Sequence, residues 1–568
     1  MRTLSTNLLL IALCSITLGS QPSSYGEKGV VVAHSQEACD AGIQILKAGG
    51  NAIDAAVAVS YALAVTHPPA GNIGGGGFMV IQLADGRTTT IDYREQAPGS
   101  ASRDMFLDDS GRVAQGKSIR GGLAVGVPGT VAGMQMALDK YGSLSRKVVM
   151  KPAIKLAAKG FEVPYDLAYS FGWLNKAAEG FDETRRIFCR NGEIYKPGER
   201  FKQPDLAKTL RMIQKKGNAG FYDGPVAESL VSSVNKFGGI MELGDLLQYQ
   251  PIEREPVIGK YRGYDIISMP PPSSGGIALI SMLNMMEPMS FDSIGWHSAD
   301  HIQRLAEIEK RAYADRSMWL GDPDYFEVPQ EILLSKGYAQ YRMMDYDSLM
   351  STPGDSIYPL NDSELAGIPL AGYESEETTH FSVVDQWGNA VSVTTTLNWS
   401  FGSYVTVEGK GFLLNNEMDD FSAKPGEPNS FGLIGNEANA IEPRKRMLSS
   451  MTPTIVSKDG KVVVVVGAPG GSTIITTVLQ VIHNLVDYQM PLQDAINAPR
   501  FHHQWKPDVI QYGPRAISGD TAQRLLDMGY TLKPRSAYGE VNAIARDQIF
   551  GGWIGAPDYR ISSHAEAY

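Results

Sequence analysis

The chain has 568 residues, of which 43% are hydrophobic and 20% are charged, so it can bury a large core and is not a disordered chain. Lys and Arg number 51 and Asp and Glu number 62, which gives a formal net charge of −11. No block of Lys and Arg interrupts this acidic balance, and the composition therefore excludes a typical nucleic-acid binder. An anionic ligand would have to be held by individual cations.

The N-terminus has the pattern of a secretory signal peptide. Arg2 precedes an apolar run over residues 8–18, and two small residues follow the run at 19–20. The run is too short to span a bilayer, and no later segment has about 20 consecutive apolar residues. We therefore expect a signal peptide over residues 1–20, a mature chain that begins near 20–24 without a membrane span, and a periplasmic or secreted location.

Three cysteines are few for an exported protein. Cys14 would leave with the signal peptide, and lipid attachment there is a weak alternative because a bulky leucine precedes it. Cys39 and Cys189 remain, and a disulfide between them is conceivable but cannot be deduced from their spacing. No Cys/His cluster has the spacing of metal ligands, and the adjacent pair His502–His503 favours structural roles, so we expect no metal.

Two helices are predicted directly after the signal peptide. Ser35 can cap the first, which the glycines at 49–50 end. Asn51 can cap the second, which the prolines at 68–69 end, and this helix is rich in Ala and Val on all faces, which predicts that it is buried. Further helical patterns cover residues 151–158, 205–216 and 302–314.

A long loop separates this helical part from a series of strands. Residues 345–377 are rich in Pro, Gly, Ser and Asp, which is typical of a loop or linker. The stretches THFSVVD and AVSVTTTLN, joined by a Gly-Asn turn, predict a β-hairpin that begins near Thr379. Later, KVVVVVGAPGGSTIITTVLQVIHNLV predicts a buried strand, a glycine-rich turn and a helix. No other break in composition divides the chain, which favours two intertwined segments of one domain.

Thr378 and Thr379 stand at the junction between the loop and the hairpin. A threonine pair there is most simply explained as ordinary strand residues, because a Thr hydroxyl is a weak nucleophile unless a neighbouring base takes its proton. An N-terminal threonine has its own base, since its α-amine has a reference pKa near 8. Thr378 would gain that amine only if the peptide bond from Glu377 were cleaved, and a long loop that ends there would allow the cleavage.

The motifs along the chain resemble those of the γ-glutamyltranspeptidase family, which belongs to the N-terminal-nucleophile hydrolases. The resemblance runs from about residue 29 to 568 and rests on eleven stretches in the family's order, namely GGNAIDAAVA, THPPAGNIGGGGFM, IDYREQAP, YRGYDIISMPPPSSGG, AYADRSMWLGDPD, TTHFSVVD, TTTLN, NNEMDDFSAKPG, LSSMTPTIV, GAPGGS and NAPRFHHQW. It implies an α+β fold, a four-layer αββα sandwich, without a cofactor. It also implies self-cleavage at Glu377–Thr378 into a large subunit, residues 21–377, and a small catalytic subunit, residues 378–568, which form one intertwined heterodimer.

The resemblance also implies the catalytic residues. Thr378 matches the family's nucleophile, and Thr396 matches the hydroxyl that orients it, although by pattern alone Thr396 would be an ordinary strand residue. Gly470 and Gly471 match the oxyanion hole. Their sequence agrees with that role, because a Gly-Gly turn that opens a helix presents backbone N–H groups to a developing negative charge.

Six further residues match the family's binding site for the α-carboxylate and α-ammonium groups of the substrate. The carboxylate set is Arg94, Ser449 and Ser450, and the ammonium set is Asn398, Glu417 and Asp420. Arginine suits a carboxylate because its planar fork donates two parallel hydrogen bonds. Judged without the family, Arg94 would be expected in a surface ion pair with Asp92 or Glu95, and the two acidic residues in a solvated turn.

Two loops near these residues carry further expectations. The glycine run at 71–78 lacks the GK[ST] ending of a phosphate-binding loop and does not follow a strand, so we expect it to serve backbone packing near the site. In the loop that would cover the substrate pocket, Phe431 stands where many family members have Tyr. A hydrogen bond toward Asn398 is thereby lost, and we expect a lid that is looser by about 1 kcal/mol.

The resemblance implies a specific reaction. The enzyme would attack the γ-glutamyl amide of glutathione or a related compound, form an ester on Thr378, and transfer the group to water, an amino acid or a peptide. A glutaryl or cephalosporin acylase is the nearest alternative, but its substrate lacks the ammonium group that Glu417 and Asp420 would bind. A relative that acts on poly-γ-glutamate and an unprocessed exported binding protein are further alternatives, and the preferred acceptor stays open.

Overall fold

The computed structural model describes residues 22–114, 116–359, 378–429 and 432–568. The predicted signal peptide, the end of the long loop with Glu377, and Phe431 lie outside these ranges. The strands are β1 (Ser24–Gly26), β2 (Val30–Ala33), β3 (Gly76–Gln82), β4 (Thr88–Asp92), β5 (Phe161–Glu162), β6 (Arg200–Phe201), β7 (Ile252–Arg254), β8 (Val257–Tyr261), β9 (Tyr264–Ser268), β10 (Thr379–Val384), β11 (Ala390–Thr396), β12 (Thr454–Lys458), β13 (Lys461–Val466), β14 (Phe501–His502), β15 (Ile510–Tyr512), β16 (Leu532–Pro534), β17 (Ala543–Arg546), β18 (Trp553–Ala556) and β19 (His564–Ala567). The helices are α1 (Gln36–Lys47), α2 (Ala52–Thr66), α3 (Thr130–Tyr141), α4 (Arg146–Val149), α5 (Lys151–Lys159), α6 (Tyr165–Ala177), α7 (Asp182–Phe188), α8 (Pro204–Lys216), α9 (Gly224–Lys236), α10 (Leu243–Gln248), α11 (Gly275–Met286), α12 (Ala299–Trp319), α13 (Gln330–Leu333), α14 (Lys336–Arg342), α15 (Thr473–Val486), α16 (Leu492–Asn497) and α17 (Gly519–Asp527).

Two large antiparallel sheets form the centre of the molecule. The first has the strand order β1-β18-β17-β13-β12-β9-β8, and the second has the order β19-β2-β10-β11-β3-β4-β7. The hairpin β10–β11 lies between β2 and β3, with Thr379 opposite Thr395. Strands from both sides of residue 378 therefore share each sheet, and neither part could keep its sheets without the other. The division at residue 377 itself stays a prediction.

The alternation of side chains along the strands produces four layers. On β2, Val31 and Ala33 join a core with helices α1 and α2, whereas Val30 and Val32 join a core with the first sheet and helices α11, α12 and α15. Successive side chains of a strand point to opposite faces, so β2 is buried on both sides. The order helix, sheet, sheet, helix is the predicted α+β, αββα sandwich.

The predicted N-caps of the first two helices are present. Ser35 Oγ accepts a hydrogen bond from the Ala38 N–H at 3.2 Å, and Asn51 and Asp54 cap each other's backbone N–H groups. Helix α12 extends beyond the range 302–314 that the sequence predicts. Ser298 caps its start, and burial continues toward its last turn. The second helix is buried along its whole length, as its composition predicts.

The structure also shows the state of the two cysteines. Cys39 and Cys189 are both buried and free, so the conceivable disulfide does not form. Within the described ranges, no three His, Cys, Asp or Glu side chains are placed to hold a metal ion. None of the helices in those ranges combines the length and apolar character that a membrane span needs.

Candidate active site

The hydroxyl of Thr378 meets the end of the neighbouring strand. Thr378 directly precedes β10, and its Oγ1 donates to Thr396 Oγ1, at the end of β11, over 3.3 Å. Thr396 Oγ1 in turn accepts the backbone N–H of Asn398 at 2.8 Å. Asn398 has a φ of +74°, and its side chain donates to the Asn416 carbonyl at 3.1 Å. The hairpin register and this turn therefore hold the two threonine hydroxyls together.

The glycine run packs directly against this strand end. Asn72 donates to the Thr396 carbonyl at 2.8 Å and accepts the Gly75 N–H at 2.9 Å. A Cβ on Gly75 would lie 2.2 Å from the Thr396 oxygen, and a Cβ on Gly77 would lie 2.4 Å from the Thr394 oxygen. Only glycine permits so close a backbone approach. The expected role of the run in backbone packing is confirmed.

The backbone N–H groups of Gly470 and Gly471 lie just before helix α15. Gly470 and Gly471 have φ values of +126° and +54°, and Thr473 turns its N–H and hydroxyl back onto the Gly470 carbonyl. Neither glycine N–H donates to any residue in the described ranges. Free N–H groups at the N-terminus of a long helix can stabilise a negatively charged oxygen.

One cavity brings the expected site residues together. It encloses about 570 Å³ including its open mouth, and nine of the ten expected residues line it, namely Arg94, Thr378, Thr396, Asn398, Glu417, Asp420, Ser449, Ser450 and Gly471. Gly470 is the exception, because it lies one residue behind Gly471. Residues that are far apart in sequence thus form a single wall.

Arg94 lies at the centre of the cavity's charged wall. Its guanidinium pairs with Glu417 and Asp420, and Glu95 lies farther away at 3.6 Å. Arg94 is fully buried and Glu417 is 1% exposed, so a surface ion pair and a solvated acidic turn are both wrong for these residues. The reason is tertiary: Arg94 follows the inner strand β4, and the turn that carries Glu417 and Asp420 packs over it.

Burial and pairing act against each other on these charges. Burial raises the pKa of Glu417 and of Asp420 above its ordinary value, although the neighbouring Arg94 opposes the shift. Burial alone would lower the pKa of Arg94, but the surrounding carboxylates outweigh it, and that pKa lies above its ordinary value. Arg94 therefore stays a cation, and the carboxylates depend on it for their charge.

The two serines face the cavity with their oxygens already engaged as acceptors. Ser449 Oγ accepts the Met451 N–H at 3.1 Å, and Ser450 Oγ accepts from Nη2 of Arg316 at 3.1 Å. Sequence reasoning did not select Arg316, although it lies in the stretch AYADRSMWLGDPD. The available signal was an arginine in the last turn of a helix that also carries apolar core residues.

The histidine next to the threonine pair takes no part in this wall. His380 Nδ1 and Nε2 lie 2.9 and 3.1 Å from the hydroxyls of Thr394 and Ser382, and burial lowers the pKa of His380 to about 3. All nine histidines belong to the described ranges, and none lines the cavity. This cavity therefore offers Thr378 no imidazole as a base, although His34, His67 and His564 line a second cavity that Thr378 also borders.

Known proteins resemble this chain along almost its whole length. The model of the gamma-glutamyltranspeptidase family matches residues 38–568. A glutathione hydrolase proenzyme of Escherichia coli K12 is 49% identical over 521 residues, which cover 91% of this chain and 88% of that protein. Among solved structures, a cephalosporin acylase from Bacillus halodurans has a TM-score of 0.84 at 26% identity and covers 99% of both chains. A chain of Helicobacter pylori gamma-glutamyltranspeptidase has a TM-score of 0.56 at 42% identity over 61% of this chain and 97% of its own. The protein is therefore an enzyme that belongs to the gamma-glutamyltranspeptidase family.

Proposed function

We propose that the protein cleaves itself between Glu377 and Thr378 and then acts as a γ-glutamyltransferase and glutathione hydrolase. One observation carries the proposal: the Thr378 hydroxyl, 3.3 Å from that of Thr396, opens into a cavity whose wall holds buried charges of both signs. A γ-glutamyl donor presents a scissile amide at one end and an α-carboxylate with an α-ammonium at the other. The cavity matches both ends.

Cleavage would supply a base on Thr378 itself. The cavity wall contains no histidine, whereas a freed α-amine at Thr378 would have a pKa near that of ordinary amino termini, about 8. Such an amine accepts a proton at neutral pH and lies on the same residue as the hydroxyl. Thr396 contributes the hydrogen bond that fixes the direction of the attacking oxygen.

The reaction then proceeds through an ester. The Thr378 hydroxyl loses its proton to the α-amine and attacks the γ-carbonyl carbon, while the N–H groups of Gly470 and Gly471 stabilise the negative oxygen. The carbon–nitrogen bond breaks, and the leaving amine takes the proton from the protonated α-amine of Thr378. Water, an amino acid or a peptide next attacks the ester and loses a proton to the same amine. The bond between the acyl carbon and the Thr378 oxygen then breaks, and that oxygen takes the proton back from the amine.

The charged wall is suited to an exchange of partners. Arg94 pairs internally with Glu417 and Asp420, and a donor brings one carboxylate and one ammonium. The donor's carboxylate can bind to Arg94 and to the hydroxyls of Ser449 and Ser450. Its ammonium can bind to the two acidic side chains and to the Asn398 amide oxygen. Every buried charge then keeps a partner, which avoids the cost of several kcal/mol for an isolated buried ion.

An acylase is the second candidate function, because the cephalosporin acylase structure matches this chain over its whole length. A glutaryl group has no ammonium, so Glu417 and Asp420 would line the cavity without a cationic partner from the substrate. The acidic pair therefore favours γ-glutamyl donors. A poly-γ-glutamate substrate shares the donor chemistry and would differ in the leaving group.

Two measurements test the proposal. A denaturing gel should show two chains, and N-terminal sequencing of the smaller should begin Thr-Thr-His, which corresponds to residues 378–568. The processed protein should release p-nitroaniline from γ-glutamyl-p-nitroanilide faster than from its glutaryl analogue. A single chain that is active, or a faster glutaryl reaction, would refute the self-cleavage or the substrate class respectively.

We also propose that the protein is exported to the periplasm or beyond the cell. The support is the sequence pattern of residues 1–20 alone. The large chain recovered from active protein should begin near residues 20–24. Active protein in the cytosol with its first methionine intact would contradict export.

A further inference from the structure

Arg316 is a second buried arginine on the wall of the active-site cavity. It lies in the last turn of α12 and is 5% exposed, and it lines the same cavity as Thr378 and Arg94. Neither the composition of the chain nor the roles proposed above account for it. Its surroundings differ from those of Arg94 in one decisive respect.

Arg316 has no carboxylate in direct contact among the described residues, and Asp420 acts on its charge only from a longer distance. No carboxylate in the described ranges lies within 4 Å of its guanidinium, whereas Arg94 has three within that distance. The hydrogen bonds of Arg316 go to neutral hydroxyls: Nε donates to Ser274 Oγ at 2.9 Å and Nη2 donates to Ser450 Oγ at 3.1 Å. A buried ion without a counter-ion is costly, so a cation held this way at a cavity wall is suited to an anionic ligand.

These hydrogen bonds also constrain the two cavity serines. An arginine only donates, so Ser450 Oγ must accept from Arg316, and its single hydroxyl proton stays available to donate. Ser274 Oγ accepts from Arg316 and donates to the Ser449 carbonyl at 2.6 Å, which fixes the neighbouring serine's backbone. Arg316 thus hydrogen-bonds Ser450 directly and reaches the Ser449 backbone through Ser274.

We propose that Arg316 is a positioning residue that turns the Ser450 hydroxyl toward the donor's α-carboxylate and supplies a second positive charge behind it. The inference rests on the proposed γ-glutamyl activity and deepens it, because it assigns the preference for donors with a free α-carboxylate to a residue outside the matched set. Arg94 loses its internal partners only as the ligand arrives. Arg316 has only the more distant Asp420 to balance its charge beforehand and can attract the carboxylate from the start.

The test compares two donors on the processed enzyme. One is γ-glutamyl-p-nitroanilide, and the other is the same compound with its α-carboxylate converted to a carboxamide. The measured quantity is the ratio of kcat/KM for the carboxylate donor to that for the carboxamide donor. We expect Arg316→Met to lower this ratio by about 10-fold, mainly through a higher KM. Arg316→Lys, which keeps the charge but cannot reach both hydroxyls, should lower it by about 3-fold.

Two controls separate positioning from a general effect on the fold. Arg500 is 2% exposed and donates only to backbone carbonyls away from the cavity, so Arg500→Lys should leave the ratio unchanged even if it lowers the thermal midpoint. In a Ser450→Ala background, Arg316→Met should lower the ratio by less than it does alone, because part of its effect passes through that hydroxyl.

An unchanged ratio in processed, folded Arg316 variants would overturn the inference. If Arg316→Met yields no processed protein, the ratio of Arg316→Lys decides by the same criterion. The two hypotheses fail differently. A wild-type protein that cleaves neither donor refutes the proposed function, whereas an active wild type with variants of unchanged ratio refutes only the role of Arg316.

Discussion

Two groups of buried charges lie close to helix α12 and differ in how fully they are hydrogen-bonded. The helix cluster consists of Glu307, Lys310 and Arg311, all within the helix. Glu307 accepts hydrogen bonds from both basic side chains, from the Tyr530 hydroxyl and from the Thr352 N–H. Lys310 donates further to Ser351 and Thr352, so each charge in this cluster has several protein partners.

The cavity cluster consists of Arg94, Arg316, Glu417 and Asp420, and it is incompletely satisfied. Within the described ranges, Glu417 Oε2 has no hydrogen-bond partner, and Arg316 has no carboxylate within 4 Å. Buried polar groups are normally paired because an unpaired one costs free energy. The comparison indicates that the helix cluster stabilises the fold, whereas the cavity cluster leaves bonding capacity for a ligand. Substitutions in the two clusters should therefore change different measured quantities.

Thr378→Ala should have the largest effect, because it removes the proposed nucleophile for both self-cleavage and catalysis. We expect a single uncleaved chain and activity at the assay background, while the thermal midpoint changes little, since one small hydroxyl at the cavity is lost. Denaturing gels, a γ-glutamyl-p-nitroanilide assay and thermal melts measure these three outcomes. Thr378→Ala protein that still appears as two chains would exclude Thr378 as the cleaving residue.

Glu307→Gln should change stability and leave the active site intact. Removal of this charge leaves Lys310 and Arg311 buried without their shared partner, and such a loss typically costs about 3 kcal/mol. We expect a lower urea midpoint and an unchanged kcat/KM for γ-glutamyl amides. The exposed Glu331→Gln is the matched control and should change neither value. A fall in kcat/KM without loss of stability would break the distinction between the clusters.

Asp420→Asn should alter substrate preference. It removes a charge-assisted contact to the donor's ammonium, so kcat/KM for γ-glutamyl amides should fall about 30-fold, the low end for a buried charge pair. Glutaryl amides, which lack the ammonium, should react as before or faster.

Asp419→Asn provides the matched control for Asp420→Asn. Asp419 belongs to the same turn but accepts from Ser118 at 2.6 Å and does not line the cavity, so the ratio of the two substrates should stay unchanged. An equal fall for both substrates in Asp420→Asn would assign Asp420 to the fold instead of the substrate.

Glu95→Gln should have the smallest effect and a defined pH dependence. Burial raises the pKa of Glu95, and the nearby Arg94 only partly opposes the shift. The carboxyl therefore favours the folded state fully below its unfolded pKa of about 4.3, and this contribution is lost as the pH rises toward its folded pKa. The variant should therefore gain stability relative to wild type as the pH rises from 5 to 8. If the thermal midpoints of the variant and the wild type differ by the same amount at pH 5 and at pH 8, this pH dependence is contradicted.

The elements and several site residues could be predicted because their signals are local. Ser35 and Asn51 act within one helical turn, and the alternating apolar residues of the hairpin need no knowledge of the rest of the chain. The family motifs then identify Thr378 and Thr396 as site residues. Without the resemblance, the local pattern would predict only ordinary strand residues at these positions. These inferences depend on short patterns and on resemblance.

Sequence by itself thus determined the hairpin, the caps, the glycine-rich turns and the set of residues expected at the site. Only the tertiary structure decided that Arg94 is buried against Glu417, that Cys39 and Cys189 stay free, and that Arg316 faces the cavity. The physical reason is the range of the interactions. Caps and strand alternation act over a few residues, whereas the partner and burial of a charged side chain depend on how two sheets and their helices pack, which brings together residues more than 300 positions apart.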